Sequence, residues 1–346
     1  MLGRVALAVA LLIVSGCFWQ VPGADSNRSA HNPFERRITA DTVTGLEQRW
    51  EATLDGGPVG DPVTSALGVH VDGERSIYSF DARTGAERWQ YSSESITAAG
   101  QPWVWRDHVL ANVYDGGRAV VELDPVTGAE TGRIPGQYLS GLRQDTAALV
   151  STERRCIRFC FNLDTLTVEN LHTGQVLFSG DFNTGGALPQ VTVGSEWVVH
   201  GGVGMLLDNI FEPAEGVRGY SISAPRLDCS LVAVINLCPD WSVALSESYP
   251  PVLSEDGSVV YAGATAYDTA TGELLWTPSV SDVAGPSALA EGTLFSAGRH
   301  ERLLRAFPAG GCSASTCEPL WSGELGFEPD PVLQPAVAGD VVFVAG

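Results

Sequence analysis

The histidines of this chain lie far apart in the sequence and fit no catalytic spacing. The sequence contains no HExxH and no GxSxG, and its glycine-rich runs lack the lysine of a phosphate-binding loop. A single histidine in a predicted strand is usually a packing or surface residue, so we expect no catalytic residue. The six histidines are His31, His70, His108, His172, His200 and His300.

Four aspartates next to glycine are the candidates for calcium ligands: Asp72, Asp115, Asp256 and Asp340. Carboxylate oxygens suit calcium, but each of these residues falls in a predicted hairpin turn. A turn aspartate ordinarily accepts hydrogen bonds from its own turn and faces solvent. We therefore expect neither a bound metal nor a bound cofactor.

Six of the seven cysteines form three close pairs in the sequence. They are Cys156 and Cys160, Cys229 and Cys238, and Cys312 and Cys317. In an exported chain an even number of cysteines indicates disulfides, and the short spacings predict three local bridges. Cys156 and Cys160 would lie about 13 Å apart in one extended strand, so the chain must turn between them. Zinc binding is the alternative, but the usual Cys-x2-Cys spacing is absent.

The seventh cysteine, Cys17, follows an N-terminal export signal. Residues 1–4 form a short segment made positive by Arg4, and residues 5–14 are apolar but too few to span a bilayer. The run Val14-Ser15-Gly16-Cys17 resembles the lipobox of bacterial lipoproteins. That resemblance implies cleavage before Cys17 and acylation of its thiol, and a plain secretory signal is the alternative.

Composition bears on location and on partners. The chain has 41 acidic and 20 basic residues and a formal net charge of −21, so we expect no nucleic-acid partner. All the basic residues are arginine, which favours a GC-rich, actinobacterial source. We expect a lipid anchor on the extracytoplasmic face of the cell membrane. Three segments are predicted: a signal peptide at residues 1–16, a flexible tether at 17–39 and a folded domain at 40–346.

One short pattern recurs along the chain. An apolar strand is followed by Asp-x-x-Thr-Gly and then by a tryptophan. The aspartate accepts a backbone N–H to start the turn, and the glycine supplies a positive φ. A weaker copy ends at Thr173-Gly174. The signature residues are Asp41, Gly45, Trp50, Asp81, Gly85, Trp89, Asp124, Gly128, Asp268, Gly272, Trp276 and Trp321.

The spacing of the copies predicts an all-β propeller. Trp89 follows Trp50 by 39 residues, which is room for four short strands. Such a unit cannot bury both of its faces alone, so copies must stack radially as blades. We count seven blades, with eight as the alternative. Residues 41–50 and 335–344 read as the two halves of one blade, so N- and C-terminal strands would close the ring.

The copies resemble the pyrroloquinoline-quinone-like (PQQ-like) repeat of quinoprotein dehydrogenases and of the lipoprotein subunit of the outer-membrane β-barrel assembly machinery. The quinoprotein resemblance implies a quinone on calcium at the ring centre, next to two adjacent cysteines that this chain lacks. We therefore expect a non-catalytic scaffold that binds a protein at the cell envelope. Residues 201–228 interrupt the repeat and are the first candidate for its contact surface. A PQQ- and calcium-dependent dehydrogenase, or a sensor of small ligands or glycans, is the alternative.

Overall fold

The computed structural model shows a ring of seven small β-sheets, the blades of a propeller. Blades 1 to 6 each have four antiparallel strands that follow one another along the chain, and blade 7 joins strands from both ends of the chain. The predicted seven-bladed propeller is confirmed. The described residues are 19–56, 60–156, 160–182, 190–205, 213–223, 239–245, 250–281, 285–298, 302–326 and 334–344.

Blades 1 to 3 comprise the first half of the ring. Blade 1 contains the strands Val63–Ser65, Gly68–Asp72, Ile77–Phe80 and Glu87–Tyr91. Blade 2 contains Ile96–Trp105, His108–Asp115, Arg118–Leu123 and Glu130–Pro135. Blade 3 contains Tyr138–Arg143, Thr146–Cys156, Cys160–Asn170 and Gln175–Phe182.

Blades 4 to 6 continue the ring in the same strand order. Blade 4 contains Gln190–Val193, Trp197–Met205, Pro213–Ser221 and Trp241–Ala244. Blade 5 contains Val252–Leu253, Val259–Ala262, Thr265–Asp268 and Leu274–Pro278. Blade 6 contains Ser287–Ala290, Thr293–Ala297, Leu303–Pro308 and Trp321–Glu324. A fifth strand, Thr316–Cys317, reaches from blade 6 to the outer edge of blade 5.

Blade 7 closes the ring with three strands among the described residues. His31–Asn32 pairs in parallel with Ala336–Ala338, which pairs antiparallel with Val341–Phe343. The ring is therefore closed by both chain ends, as predicted, but the N-terminal strand is not in residues 41–50. A 3-10 helix, Val43–Gly45, lies there instead, and Gly45 lacks the positive φ of the other repeat glycines.

The physical reason for that difference lies in the strand before the turn. In the other copies the aspartate follows a strand that is paired on both sides. Residues 33–40 leave the sheet, and Thr42 Oγ1 donates a hydrogen bond to the Arg37 carbonyl oxygen at 2.6 Å, which curls the chain locally. Asp41 therefore has no paired strand to connect.

The hydrophobic core lies mainly between neighbouring blades. One cluster joins Ile77 and Trp89 of blade 1 to Val109 and Val121 of blade 2. The first strands of adjacent blades contact each other, as Tyr138–Arg143 does with the first strand of blade 4, so these strands line the centre of the ring. We call the first strand of each of blades 1 to 6, and Ala336–Ala338 of blade 7, its inner strand. The fourth strands are largely exposed at the rim.

Tryptophans connect successive blades through the repeat turns. Trp89 packs on Gly128 of the next blade, where an added Cβ would lie 2.7 Å from its ring, and its indole N–H donates to the Pro125 carbonyl at 2.9 Å. Trp241 contacts the Gly272 turn in the same way, with a 2.7 Å hydrogen bond to the Thr269 carbonyl. The same contact joins Trp50 to Gly85 and Trp276 to Gly311. These tryptophans therefore fix the angle between blades.

The described parts of residues 201–228 do not interrupt the repeat in the way predicted, while residues 206–212 and 224–228 lie outside the described residues. Residues 201–205 and 213–221 belong to the two middle strands of blade 4 and pair with each other. The sequence reads as a loop because glycines at positions 201, 202 and 204 weaken the strand pattern. Within the described ranges, no helix has the length and apolar character that a membrane crossing requires.

Candidate functional site

The propeller has two faces that differ in shape. The Asp-x-x-Thr-Gly turns and the turns between first and second strands lie on one of them, which we call the turn face. Asp81 shows how the sequence builds it: Asp81 Oδ1 accepts hydrogen bonds from the backbone N–H of Arg83 and of Thr84, at 3.1 and 2.9 Å. The Thr84 hydroxyl also donates to Asp81 Oδ1 at 2.9 Å, and this bond, followed by those from the Thr84 N–H and the Arg88 guanidinium, lowers the pKa of Asp81 to about 2. The opposite face, which we call the ribbon face, carries the connections between second and third strands.

A two-stranded ribbon from blade 3 projects beyond its sheet on the ribbon face. The outer strand pairs only as far as Asp164, opposite Phe182, and the inner strand only as far as Val150. The two middle strands remain paired up to Cys156 and Cys160. Four residue pairs beyond Asp164 thus extend about 13 Å past the outer strand. Among the described residues, no flanking strand pairs with the backbone groups on either edge of this ribbon.

Blade 4 has a similar ribbon next to it. Its inner strand pairs with the second strand up to Gly201, and its outer strand pairs with the third strand up to Gly216. The middle strands continue to the pair Met205 and Pro213. The predicted contact segment 201–228 therefore supplies part of the second ribbon. The two ribbons thus lie on neighbouring blades of the ribbon face.

The central channel contains residues 19–32, which we call the channel segment. Backbone carbonyl oxygens of this segment accept hydrogen bonds from the inner strands of five blades. In each bond a backbone N–H of the inner strand donates to a backbone carbonyl of the segment: Thr64 to Trp19 at 2.6 Å, Val104 to Gln20 at 2.7 Å, Leu253 to Asn27 at 2.9 Å, Leu289 to Ser29 at 2.7 Å, and Val337 to Ala30 at 2.8 Å. The segment thus passes around the channel in blade order, from blade 1 to blade 7.

All five donors lie near the turn face. Each is the last or next-to-last residue of its inner strand, immediately before the turn or loop that follows. The channel segment therefore narrows the turn-face end of the channel and leaves a funnel open towards the ribbon face. This segment falls within residues 17–39, for which the sequence predicts a tether. The structure instead begins the ordered propeller before residue 40.

Charged and polar groups gather in this funnel. Burial lowers the pKa of Arg28, against the opposing influence of the Asp61 carboxylate, and burial raises the pKa of Asp61. Asp72 is fully buried, and loss of hydration raises its pKa to about 6. Its Oδ1 accepts a hydrogen bond from the Gly60 N–H at 3.1 Å, while Oδ2 has no hydrogen-bond partner among the described residues. Burial also raises the pKa of Tyr138. The cluster can bind or exchange a proton.

The structure does not bring the four candidate calcium ligands together. Asp72 lies in the funnel, and Asp115 lies on the ribbon face 3.5 Å from Arg133. Asp256 and Asp340 lie in turns of blades 5 and 7 on the turn face. Across the described ranges, no three His, Cys, Asp or Glu side chains form a group that could hold a metal ion.

The cysteines and histidines are equally dispersed. Cys312 and Cys317 form a disulfide with a Cα–Cα distance of 5.7 Å. Cys156 and Cys160 are register partners in the two antiparallel strands of the ribbon, while Cys17, Cys229 and Cys238 lie outside the described residues. His70 is buried against the ring of Trp89, and burial lowers its pKa to about 4.

Most of the funnel cluster could not be predicted from the sequence. Arg28 lies in a segment that reads as a tether, and Asp61 and Asp72 each read as turn residues. Only the closure of the ring brings them near Tyr138 of blade 3. The one local signal is the position of Asp72 at the end of an alternating strand, two residues after His70. Its side chain therefore lies on the same side of the strand as that of His70.

Comparison with known proteins gives the relatives of this fold. A family model described as outer membrane protein assembly factor BamB matches residues 18–199. BamB from Moraxella catarrhalis has a similar structure, with a TM-score of 0.50 and 12% identity over 85% of this chain and 78% of that one. Quinohemoprotein alcohol dehydrogenase ADHIIG from Pseudomonas putida HK5 has a TM-score of 0.48 and 12% identity over 94% and 75%. No curated protein matches the sequence. Because the family model covers more than half of the chain, this propeller belongs to the BamB family.

Proposed function

We propose that this protein is an extracytoplasmic lipoprotein, anchored to the cell membrane through acylated Cys17, whose propeller is a non-catalytic scaffold for a protein partner. The lipobox-like run before Cys17 supports the anchor, and membership of the BamB family supports the scaffold. The observation that carries the scaffold is the pair of neighbouring ribbons on the ribbon face. Partners at the envelope are proteins in this proposal, not nucleic acids.

The ribbons offer backbone groups that a partner can use. A strand without a neighbour has free N–H and C=O groups, and an extended segment of another protein can pair with them. In the part of the chain that the structure describes, the blade 3 ribbon extends past both flanking strands, so each of its edges offers such groups. Arg154 near its base is exposed and can direct an acidic partner.

The occupied channel favours a scaffold over a dehydrogenase. The resemblance to quinoproteins would place a quinone and calcium at the ring centre. Here the channel segment crosses that region, and five inner strands bind it by hydrogen bonds. A rise in melting temperature on addition of pyrroloquinoline quinone and Ca²⁺ would contradict the non-catalytic role.

Site-specific photocrosslinking in cells tests the scaffold. A photoreactive residue at position 154 on the ribbon is compared with one at position 83, an exposed arginine on the turn face. We expect a discrete protein adduct from position 154 that is absent from position 83. Adducts that are alike at both positions, or no protein adduct at position 154, would refute the assigned surface. Cys17→Ala tests the anchor, because the variant should leave the membrane fraction.

A further inference from the structure

The channel segment fixes where the chain leaves the propeller towards its N-terminus. The Trp19 carbonyl accepts a hydrogen bond from Thr64 N–H, and Trp19 N–H donates to Thr64 Oγ1 at 2.7 Å. Thr64 is the next-to-last residue of its inner strand, so Trp19 lies about one residue, or roughly 3 Å, from the level of the turns. The carbonyl of Gln20 is bound at the same level of blade 2.

The distance from Trp19 to the acylated residue is short. Cys17 precedes Trp19 by two residues, and two extended residues span at most about 7 Å. From Trp19, this reach suffices to arrive at the turn face. The lipid would therefore be attached near the propeller axis, at the centre of that face.

Other orientations of the propeller exceed this reach. An edge-on propeller would require the chain to pass from the inner to the outer strand, three spacings or about 14 Å. A membrane on the ribbon face would have to lie beyond the blade 3 ribbon. Its strand Thr146–Cys156 has 11 residues and rises about 35 Å from the turns. Both distances are at least twice the available length of chain.

We infer that the short connection from Cys17 holds the turn face against the membrane, with the propeller axis near the bilayer normal and the ribbon face directed away from the lipid. This inference rests on the acylation of Cys17 in the proposed function. It assigns the turn face to the lipid surface, and it leaves the ribbons free for the protein partner.

The side chains of the turn face fit an anchor-driven contact. Phe34 and Val126 lie on this face with 67% and 59% of their surface exposed, and apolar side chains are accepted at the interface of a bilayer. Asp81 and Asp124 lie there too, and the hydrogen bonds of their turns lower the pKa of both carboxyls. These negative charges would oppose an anionic bilayer, so attraction between charges cannot be what holds the face in place. Salt should therefore not release it.

Fluorescent labels on the two faces test the orientation. The acylated full-length protein is labelled after Val126→Cys on the turn face or after Ser92→Cys, an exposed position on the ribbon face, and is reconstituted in phosphatidylcholine vesicles. We expect the label at position 126 to lose most of its quenching by aqueous iodide and to be quenched by spin-labelled lipid. The label at position 92 should show the reverse. Equal quenching at both positions, or lipid quenching at position 92 alone, would overturn the orientation.

Two controls separate this inference from the proposed function. Flotation with the vesicles reports the anchor: if the wild-type protein fails to float, the acylation at Cys17 is refuted. If it floats but the two labels behave alike, only the orientation is refuted. A 20-residue Gly-Ser insert after Cys17 would reach about 25 Å and should abolish the difference between the labels while flotation persists. A difference that survives the insert would overturn the role of the short connection.

Discussion

Replacement of Gly128 by alanine should weaken the contact between blades 1 and 2. Gly128 has a φ of +70°, which costs an alanine about 1 kcal/mol. The added Cβ would also lie 2.7 Å from Cδ2 of Trp89, whereas carbon atoms pack at roughly 3.5–4 Å. The ring of Trp89 is 6% exposed and hydrogen-bonded, so it cannot move away freely. Overpacking of this kind costs about 2 kcal/mol. Gly128→Ala should therefore lower the free energy of unfolding by about 3 kcal/mol.

Gly174→Ala is the matched control for this substitution. Gly174 ends the equivalent turn of blade 3 with a φ of +68°, but nothing lies within 4 Å of the position where its Cβ would be. Its replacement should cost only the backbone strain, about 1 kcal/mol. Urea unfolding followed by tryptophan fluorescence measures both variants. In a Trp89→Leu background, Gly128→Ala should cost no more than the control. Equal losses for the two glycines in the wild-type background would refute the steric role of Trp89.

Three further substitutions test the funnel, blade 1 and the disulfide. Asp72 has a pKa raised from 3.8 to about 6, so its ionised form destabilises the fold. Asp72→Asn should therefore raise the free energy of unfolding at pH 7 by up to about 3 kcal/mol. Urea titrations should show that this gain disappears below pH 4. His70 has a pKa lowered from 6.5 to about 4, so the stability it contributes is complete above pH 6.5 and falls by about 3 kcal/mol as the pH drops towards 4. His70→Gln should remove that acid-dependent loss, and an unchanged pH profile would contradict the buried neutral ring. The double substitution Cys312→Ser and Cys317→Ser should lower the free energy of unfolding by about 2 kcal/mol under oxidising conditions. The loss should be larger if the strand Thr316–Cys317 also leaves blade 5. The loop substitution Ser313→Ala is the control and should not change the stability.

Local signals in the sequence predict the blades well because each blade is built from local contacts. At Asp268, the carboxylate accepts hydrogen bonds from its own turn, and Gly272 adopts the positive φ that the spacing requires. Trp276 then packs on the next blade. A turn, its glycine and its tryptophan fall within a few residues of one another, so the repeat count and the all-β class follow directly from the sequence.

The exceptions occur where a contact depends on a distant part of the chain. Trp321 ends blade 6 and should pack on the repeat turn at Gly45. That turn is absent, so Trp321 remains 45% exposed, whereas Trp276 is 2% exposed. Asp72 reads as a turn residue, but the assembled funnel buries its carboxylate. In both cases the local sequence is typical of a regular blade. The environment of the side chain differs because it depends on parts of the chain that are distant in sequence.

The channel segment is the feature that the sequence least indicates, and its hydrogen bonds explain why. Each inner strand has one edge towards the channel, and its buried N–H groups need acceptors. Residues 19–30 supply these through backbone carbonyls, which every residue type possesses, so composition alone resembles that of a tether. The turns of the segment place Ala24, Arg28 and Ala30 at positive φ, which is unfavourable for these residues in an isolated chain. The hydrogen bonds from five blades must offset that strain, so the segment can take this path only once the ring has closed.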